Sequence, residues 1–383
     1  MKVYLDNAAT TPMAPEVLEA MMPYFTSHFG NPSSSHAFGR KTKTAIEAAR
    51  RTIAQHLHCS PSEIYFTSGG TEADNFALTS SFVDLGCTHI ITSKIEHSAV
   101  IKTAQLLCEK YNVKLSLVEL TPDGSVDMEH LEVLLATHGR SCVSLMHANN
   151  EIGNMISLTE VGHLCAKYNA IFHSDTVQTM GHYAIHTDEV PIHFLNASAH
   201  KFHGPKGVGF IYINKSLKVN AAVTGGGQER GLRGGTENLY GIVGLAKALD
   251  LAATHMEDHA AHVRDVKNYM IAQLETNIPG IRFNGRSKES DALYTVLNAT
   301  LPESENADMM LFLLDLDGVA CSGGSACSSG AAKGSHVLEG INALQPHCAS
   351  LRFSFSRYTT RAEIDFALEK IKDHCRAATA ASM

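Results

Sequence analysis

The sequence lacks the features that mark membrane proteins and nucleic-acid-binding proteins. No segment reaches the roughly 20 consecutive apolar residues of a membrane-spanning helix, and no run of Lys and Arg indicates a nucleic-acid tract. The formal net charge of -8 also disfavours binding to a polyanion. The first residues, MKVYLDNAATTP, contain no apolar core followed by a cleavage site. We therefore expect no secretory signal and a cytoplasmic location.

The cysteines and histidines also lack the spacing of metal sites. The nine cysteines are odd in number and irregularly spaced, and no two form a CxxC pair. Neither a zinc site nor a disulfide framework is therefore indicated, and we expect reduced thiols in a reducing compartment. The 22 histidines show no metal-ligand spacing either.

The composition is that of an ordinary globular protein, and the length suits two domains. The chain has 383 residues, of which 44% are hydrophobic and 18% charged. Strands are predicted at 3–5, 64–67, 89–92, 115–118, 142–146, 170–173, 190–195, 210–213, 293–301 and 351–355. Helices are predicted at 15–25, 39–57, 72–81, 99–111, 128–136, 158–168, once or twice over 238–277, and at 307–314, part of 334–343 and 361–377.

This order of elements predicts an α/β fold. Between residues 64 and 213, unbroken apolar strands alternate with helical segments, which is typical of a mainly parallel sheet covered on both faces. Beyond a boundary near residue 255 the pattern becomes that of a smaller α+β domain. Polar clusters follow predicted strands at 68–73, 147–151, 174–178 and around Lys201. Since ligands bind at the carboxyl ends of strands in such sheets, we expect these clusters to meet in one crevice.

Three of these clusters suggest a cofactor. Lys201, desolvated at a strand end, can attack a carbonyl, although an ordinary surface lysine fits the same pattern. Gly69-Gly70-Thr71 leads into a helix, which suits either an anion site or a plain turn with a threonine N-cap. Asp175 ends an apolar strand and needs a partner, either a protonated ring nitrogen or Lys201 itself. The ligand that joins a phosphate site, a lysine and an aspartate is pyridoxal 5'-phosphate.

Three further residues are candidates for chemistry. His97 follows another strand and suits stacking on a planar ring, or is an ordinary surface or core histidine. Cys327 is set among glycines and serines, which suits either a mobile thiol that reaches a substrate or an incidental exposed cysteine. Arg352, on the polar face of a strand, suits a bidentate bond to an α-carboxylate or a surface ion pair.

Motifs along nearly the whole chain resemble those of the group I cysteine desulfurases, in the class V aminotransferase branch of the pyridoxal-phosphate fold type I enzymes. The motifs are LDNAATT (5–11), FGNPSS (29–34), TSGGTEA (67–73), NNEIG (149–153), SAHKFHGPKG (198–207), RGGT (233–236), SACSS (325–329) and RFS (352–354). The resemblance implies a mainly parallel seven-stranded sheet flanked by helices, plus a smaller α+β domain. It implies a large cofactor-binding domain at 13–255 and a small domain at 1–12 and 256–383 that carries the catalytic cysteine loop.

The resemblance also implies a role for each matching residue. The roles are Lys201 for the Schiff base, His97 for stacking and acid–base catalysis, Gly70, Thr71, Ser198 and His200 for the phosphate, Asp175 for the ring nitrogen, Gln178 for the ring oxygen, Asn150 for a further cofactor contact, Asn31 and Arg352 for the substrate carboxylate, and Cys327 for the nucleophile. Thr236 matches a phosphate contact from a second subunit, which implies a homodimer.

The activity implied is the conversion of L-cysteine to L-alanine, with the sulfur left on Cys327 as a persulfide. An acceptor or scaffold protein would then take the sulfur for iron–sulfur cluster assembly or thiolation. No resident metal is implied, apart from a transient iron–sulfur cluster to which Cys327 would contribute. The chain ends soon after the predicted helix at 361–377, without the extension that housekeeping members use to bind a scaffold, so the acceptor stays open. Two alternatives stay open: another lyase or transaminase of this fold, such as a selenocysteine lyase, and a non-catalytic subunit.

Overall fold

A seven-stranded sheet lies at the centre of the structure, a computed structural model that describes residues 1–111, 113–323 and 334–381. The strands are β1 (Val3–Tyr4), β2 (Ile64–Thr67), β3 (His89–Thr92), β4 (Lys114–Leu117), β5 (Ser141–Ser144), β6 (Ile171–Ser174), β7 (Phe194–Ser198), β8 (Gly209–Ile213), β9 (Arg282–Phe283), β10 (Val296–Thr300), β11 (Val319–Ala320) and β12 (Ser350–Ser354). The helices are α1 (Pro15–Thr26), α2 (Ala37–His56), α3 (Gly70–Val83), α4 (Ser98–Tyr111), α5 (Met128–Thr137), α6 (Leu158–Lys167), α7 (Leu239–Thr254), α8 (Met256–Asn277), α9 (Met310–Leu316), α10 (His336–Gly340) and α11 (Arg361–Ala381).

The central sheet is mainly parallel, which confirms the prediction. Its strand order is β2-β8-β7-β6-β5-β3-β4. The pairs β3–β4, β3–β5, β5–β6 and β6–β7 are parallel, whereas β8 is antiparallel to both β2 and β7. No crossover helix separates β7 from β8, and a direct return of the chain gives an antiparallel neighbour.

Helices cover both faces of this sheet, so its inner strands are buried from end to end. Every residue of β3, β5, β6, β7 and β8 is buried, which explains why apolar residues follow one another in these strands, as in Ile90-Ile91 and Ile171-Phe172. Successive side chains point to opposite faces. Phe172 therefore belongs to the hydrophobic cluster that contains residues of α2 and α7, and Ile171 belongs to the one that contains residues of α3 and α4.

A separate hydrophobic core joins the first residues of the chain to its last third. The antiparallel sheet β12-β10-β9 and the parallel pair β1-β11 contribute to it, together with α8, α9 and α11. Leu5, Val263, Leu297, Phe353 and Ile364 are among its buried residues. The chain passes into this core at His255, where α7 ends and α8 begins, so the predicted segment 238–277 is two helices.

The observed elements differ from the predicted ones mainly at their ends. The strand predicted at 190–195 is instead β7, because the β6–β7 ladder begins at Phe194 and Pro191 has no N–H to donate. The helix predicted at 307–314 begins at Met310, after a short 3-10 turn. None of the helices in the described residues has the length and apolar character needed to cross a membrane.

Candidate active site

A cavity of about 560 Å³ opens where the carboxyl ends of β2, β3, β5, β6 and β7 meet. The expected crevice is therefore present, and it brings together most of the predicted site residues. Those that line it are Gly70, Thr71, His97, Asn150, Asp175, Gln178, Ser198, His200, Lys201 and Arg352. The sheet order explains this meeting, because each of these five strands points its carboxyl end to the same edge.

Lys201 enters the cavity from the sheet side. It ends a short 3-10 turn, Ala199–Lys201, that follows β7 directly. Its Nζ donates hydrogen bonds to the carbonyl oxygens of Ala8 at 2.5 Å and Ala9 at 3.0 Å. Lys201 is half-buried, so it is not an ordinary solvated surface lysine.

The glycine turn before α3 forms another wall. Gly69 has a φ of 154° and a ψ of -172°, a combination that essentially only glycine adopts. A Cβ at Gly70 would lie 2.6 Å from Cγ2 of Val177, so the backbone here packs closely on the segment after β6. The helix begins at Gly70 with Gly69 as its N-cap, and Thr71 lies inside the first turn. The first amides of a helix have no intrahelical acceptor, which makes this end suitable for an anion.

Asp175 lies at the floor of the cavity, directly after β6. It is 6% exposed, and its Oδ1 accepts a hydrogen bond of 2.9 Å from the backbone N–H of Val177. Gln178 lies beside it and donates from Nε2 to the carbonyl oxygen of Ala8 at 3.1 Å. One carboxylate oxygen of Asp175 is therefore held by the backbone, which fixes the direction of the group.

Two histidines at the cavity are neutral near pH 7. Burial lowers the pKa of His97, against the opposing effect of the Asp175 carboxylate. Its Nδ1 accepts from the N–H of Ala99 at 3.2 Å, so Nε2 carries the ring proton. Burial lowers the pKa of His200 to about 4, and its Nδ1 lies 3.1 Å from Oγ1 of Thr10. Neutral imidazoles of this kind can accept or donate a proton.

Arg352 closes the cavity on the side of β12. It is 1% exposed; Nη2 donates to Oδ1 of Asp6 at 2.7 Å, and Nη1 donates to the carbonyl oxygen of Asn150 at 3.1 Å. Its Nε is buried and has no hydrogen-bond partner among the described residues. Of the two expectations, a bond to an α-carboxylate or a surface ion pair, the structure shows an ion pair, with Asp6. This pair involves a buried guanidinium, and Nε of Arg352 remains as a donor without a partner among the described residues. A buried guanidinium with an open donor suits a carboxylate ligand.

Three predicted residues do not line this cavity. Asn31 is exposed, and its Oδ1 accepts from the N–H of Ser33 at 2.9 Å. Thr236 is exposed in the loop before α7. Cys327 lies outside the described residues. The described chain before it runs through Ser322, whose Oγ donates to Oδ1 of Asp6 at 2.8 Å.

Two acids at this site, one buried and one half-buried, escaped the sequence reasoning. Asp74, on α3, is 1% exposed and lines the cavity, and Asp6 holds Arg352. A signal for Asp74 was available, because it stands beside Ala73 and Ala77 on a buried stretch of a helix, where an acid is out of place.

Comparison with known proteins agrees with this geometry. Residues 3–366 match the family model described as Aminotransferase class-V. The chain is 41% identical over 374 residues to the cysteine desulfurase IscS of Dictyoglomus turgidum, covering 97% of this chain and 94% of that protein. It is 40% identical over 377 residues to the cysteine desulfurase IscS of Methanosarcina thermophila, covering 97% and 91%.

Solved structures show the same likeness. One described as a NifS-like protein has a TM-score of 0.90 and 33% identity, covering 98% of this chain and 100% of that one. Another, described as SspA in complex with cysteine, has a TM-score of 0.79 and 31% identity, covering 94% and 100%. The fold is therefore that of the fold type I enzymes that use pyridoxal 5'-phosphate. Within that class, the chain belongs to the class-V aminotransferase family.

Proposed function

We propose that this protein is a cysteine desulfurase that converts L-cysteine to L-alanine and keeps the sulfur on Cys327 as a persulfide. One observation carries the proposal: a single cavity joins Lys201, Asp175 and Arg352 beside the amino end of α3. The relatives named cysteine desulfurase, at about 40% identity over nearly the whole chain, support the choice of substrate.

The residues present fit pyridoxal 5'-phosphate. The amino end of α3, with Ser198 and His200 nearby, suits the phosphate, and Asp175 suits the ring nitrogen. Gln178 suits the ring oxygen, and Lys201 supplies the amine that would hold the cofactor covalently. When bound, the cofactor supplies an electron sink for charge that develops on the carbon skeleton of the substrate. In this proposal His97 stacks on the ring and Asn150 adds a contact.

The buried guanidinium of Arg352 would orient the substrate through its carboxylate, with Asp6 and the Asn150 carbonyl fixing the plane of the fork. The thiolate of Cys327 then forms an S–S bond with the substrate sulfur as the Cβ–S bond of the substrate breaks. The electron pair of that bond stays on the carbon skeleton, which takes up a proton to become alanine. Neutral His97 is placed to move protons in this sequence.

The proposal extends to a homodimer in which Thr236 reaches the phosphate site of the partner subunit. Exposed apolar side chains support it, since exposed apolar patches mark interaction sites, and two pairs of these side chains are in ring contact, Phe25 with Tyr240 and Phe29 with Phe38. The exposed side chains are Leu18, Met22, Phe25, Phe29, Phe38 and Tyr240. Within one chain, the loop that contains Thr236 contacts the amino end of α3, because Nε of Arg233 donates to Oε1 of Glu72 at 3.0 Å. Light scattering on the holoenzyme tests this arrangement, and the mass of a monomer would contradict it.

We also propose a division into two domains and a cytoplasmic location. The separate hydrophobic cores support a large domain at 13–255 and a small domain at 1–12 and 256–383. Seven cysteines of the described residues are free thiols, in keeping with the reducing cytoplasm: Cys59, Cys87, Cys108, Cys142, Cys165, Cys321 and Cys348. We propose that the persulfide sulfur passes to an acceptor protein for iron–sulfur cluster assembly or thiolation.

Replacement of Cys327 tests the persulfide step. With L-cysteine and a reductant, Cys327→Ser is expected to bind the cofactor normally but to release no sulfide. Cys321→Ser is the matched control, because burial raises the pKa of the Cys321 thiol to about 12 and leaves it inert. Full cysteine-to-alanine turnover in Cys327→Ser would rule out the persulfide mechanism.

Two further measurements complete this test. Lys201→Ala is expected to lose the visible absorbance of bound cofactor together with all turnover, and a variant that keeps both would refute the assignment of the cavity. Alanine production from selenocysteine that far exceeds production from cysteine would favour a selenocysteine lyase instead.

A further inference from the structure

Asp74 is a buried acid for which the chemistry proposed above has no use. It lies on α3 at the cavity, 1% exposed. Burial raises its pKa well above the usual range, and the nearby carboxyl groups of Asp175 and Glu96 raise it further. No lysine or arginine of the described residues forms an ion pair with it. A charged carboxylate here would be desolvated and would be repelled by the carboxylate of Asp175.

Hydrogen bonds connect Asp74 to the backbone behind Asp175. The Nδ2 group of Asn196, on β7, donates to Oδ1 of Asp74. The Oδ1 atom of the same Asn196 side chain accepts from the backbone N–H of Thr176 at 2.9 Å, and Oγ1 of Thr176 donates to the Asn196 carbonyl oxygen at 2.5 Å. Thr176 follows Asp175 directly. The Asn196 side chain therefore links Asp74 to the backbone at Thr176. The position of that backbone sets the direction of the Asp175 side chain.

A histidine on β6 gives a second reason for an uncharged Asp74. Nδ1 of His173 lies 2.8 Å from Oγ of Ser144, and its Nε2 lies 3.3 Å from Oδ1 of Asp74. No group of the described residues completes a well-aligned hydrogen bond to this buried Nε2. Burial lowers the pKa of His173 to about 3, so the ring is neutral. An acid hydrogen on Asp74 would give Nε2 the partner that buried polar atoms require.

We propose that Asp74 is a positioning residue which, as an uncharged carboxylic acid, bridges Asn196 and His173 and so holds Asp175 in the orientation that binds the ring nitrogen. This inference rests on the assignment of Asp175 made under the proposed function. It leaves Asp175 as the charged group that faces the cofactor ring, with no second charge behind it.

Two substitutions at Asp74 distinguish an uncharged acid from a carboxylate. Asn is uncharged, like the protonated acid, and its Oδ1 keeps the acceptor for Nδ2 of Asn196, whereas Ala removes this acceptor. Titration of the apo-protein with pyridoxal 5'-phosphate, followed by visible absorbance, measures affinity and the position of the absorbance maximum. Asp74→Asn is expected to bind within about threefold of wild type with an unchanged maximum, and Asp74→Ala about tenfold more weakly with a shifted maximum.

Other variants separate positioning from general damage. Ser81→Ala removes a buried hydroxyl two turns further along α3 and should leave cofactor affinity unchanged. If Asp74 acts through Asn196, the double variant Asp74→Ala/Asn196→Ala should bind no more weakly than the weaker single variant. Melting temperatures of the apo-proteins show whether each variant folds.

The outcomes that would overturn the inference are distinct from failure of the proposed function. Wild-type affinity in Asp74→Ala would show that Asp74 positions nothing. Equal weakness in Asp74→Asn and Asp74→Ala would show that it acts as a charged carboxylate. Wild-type affinity in Asp175→Ala would instead refute the cofactor assignment itself, whatever the Asp74 variants do.

Discussion

Arg352 joins the two ends of the chain at the cavity. Its guanidinium binds Asp6 and the Asn150 carbonyl at the same time and keeps Nε as an open donor. A lysine ammonium is a point charge and cannot reproduce this fork. In Arg352→Lys we expect the KM for L-cysteine to rise about 100-fold, with a smaller change in kcat, because a bidentate charged contact is lost. Initial rates of alanine formation over a range of cysteine concentrations measure both constants.

Arg282→Lys provides the control for this substitution. Arg282 lies in the same small sheet but is exposed, so the change should leave both constants unaltered. Bound cofactor absorbance should be normal in both variants. A wild-type KM in Arg352→Lys would show that the carboxylate of cysteine binds elsewhere.

Residues of the cavity were predictable from the sequence where they directly follow a predicted strand. Lys201 and Asp175 each follow a predicted strand, and the parallel sheet brings such positions together. Asp6 was not predictable in its role, since its contact with Arg352 joins positions 346 residues apart. Asn31 and Thr236 lie outside the cavity of a single chain, and their assigned roles stay predictions. The role of Thr236 depends on a second subunit.

At the scale of elements, a buried ion pair holds the glycine-rich loop before α7 against the large core. Nη1 and Nη2 of Arg50 each donate to a carboxylate oxygen of Glu229 at 2.8 Å. Oε2 of Glu229 also accepts from the N–H of Phe66 at 2.8 Å. Glu229 has a φ of 44°, in the left-handed region that ordinary residues avoid. The loop therefore depends on this pair to keep its conformation.

Glu229→Ala is expected to destabilise the protein strongly, because Arg50 would remain buried without a counter-charge. Both side chains are 3% exposed, and removal of one partner from such a pair costs about 3–5 kcal/mol. Urea unfolding of the apo-protein measures the loss. The exposed pair between Asp265 and Arg361 supplies the control, since Asp265→Asn should cause no measurable change. Equal stabilities of the two variants would refute this role for Glu229.

The elements themselves were largely predictable, and the exceptions have physical reasons. Strands that are buried along their whole length, such as β5 and β6, contain adjacent apolar residues that are visible in the sequence. The two-residue strand β9 has no such run, because it exists only through pairing with β10. The reversed direction of β8 follows from its connection to β7 and not from its own residues.

At the scale of the whole molecule, the amino-terminal segment closes the second core. β1 pairs in parallel with β11, and Asp6 forms an isolated β-bridge with Ser354, the last residue of β12. Lys201 contacts the carbonyl groups of Ala8 and Ala9 in the same segment. The segment thus contacts both the cavity and the last third of the chain. Composition could not predict this, because the contacts depend on pairing between the two ends of the sequence.

Groups that are buried in neutral form make the stability of the whole molecule depend on pH. Burial lowers the pKa of His173 to about 3. It lowers the pKa of four further histidines to about 4: His147, His182, His200 and His203. Burial raises the pKa of Glu96 to about 8 and that of Asp74 well above its usual range. On unfolding near pH 5.5 these histidines gain protons, since the ordinary histidine pKa is about 6.5, and the two acids lose theirs.

More groups gain a proton than lose one, so the unfolded state binds more protons between about pH 6.5 and pH 4 and stability must fall as the pH falls. We expect the melting temperature of the apo-protein to be about 3 °C lower at pH 5.5 than at pH 6.5. Scanning calorimetry at equal ionic strength measures the difference. The histidines that are neutral in the fold would be the cause, because the acids alone would shift stability in the opposite direction. A melting temperature that is equal or higher at pH 5.5 would show that these histidines are not held neutral in the folded protein.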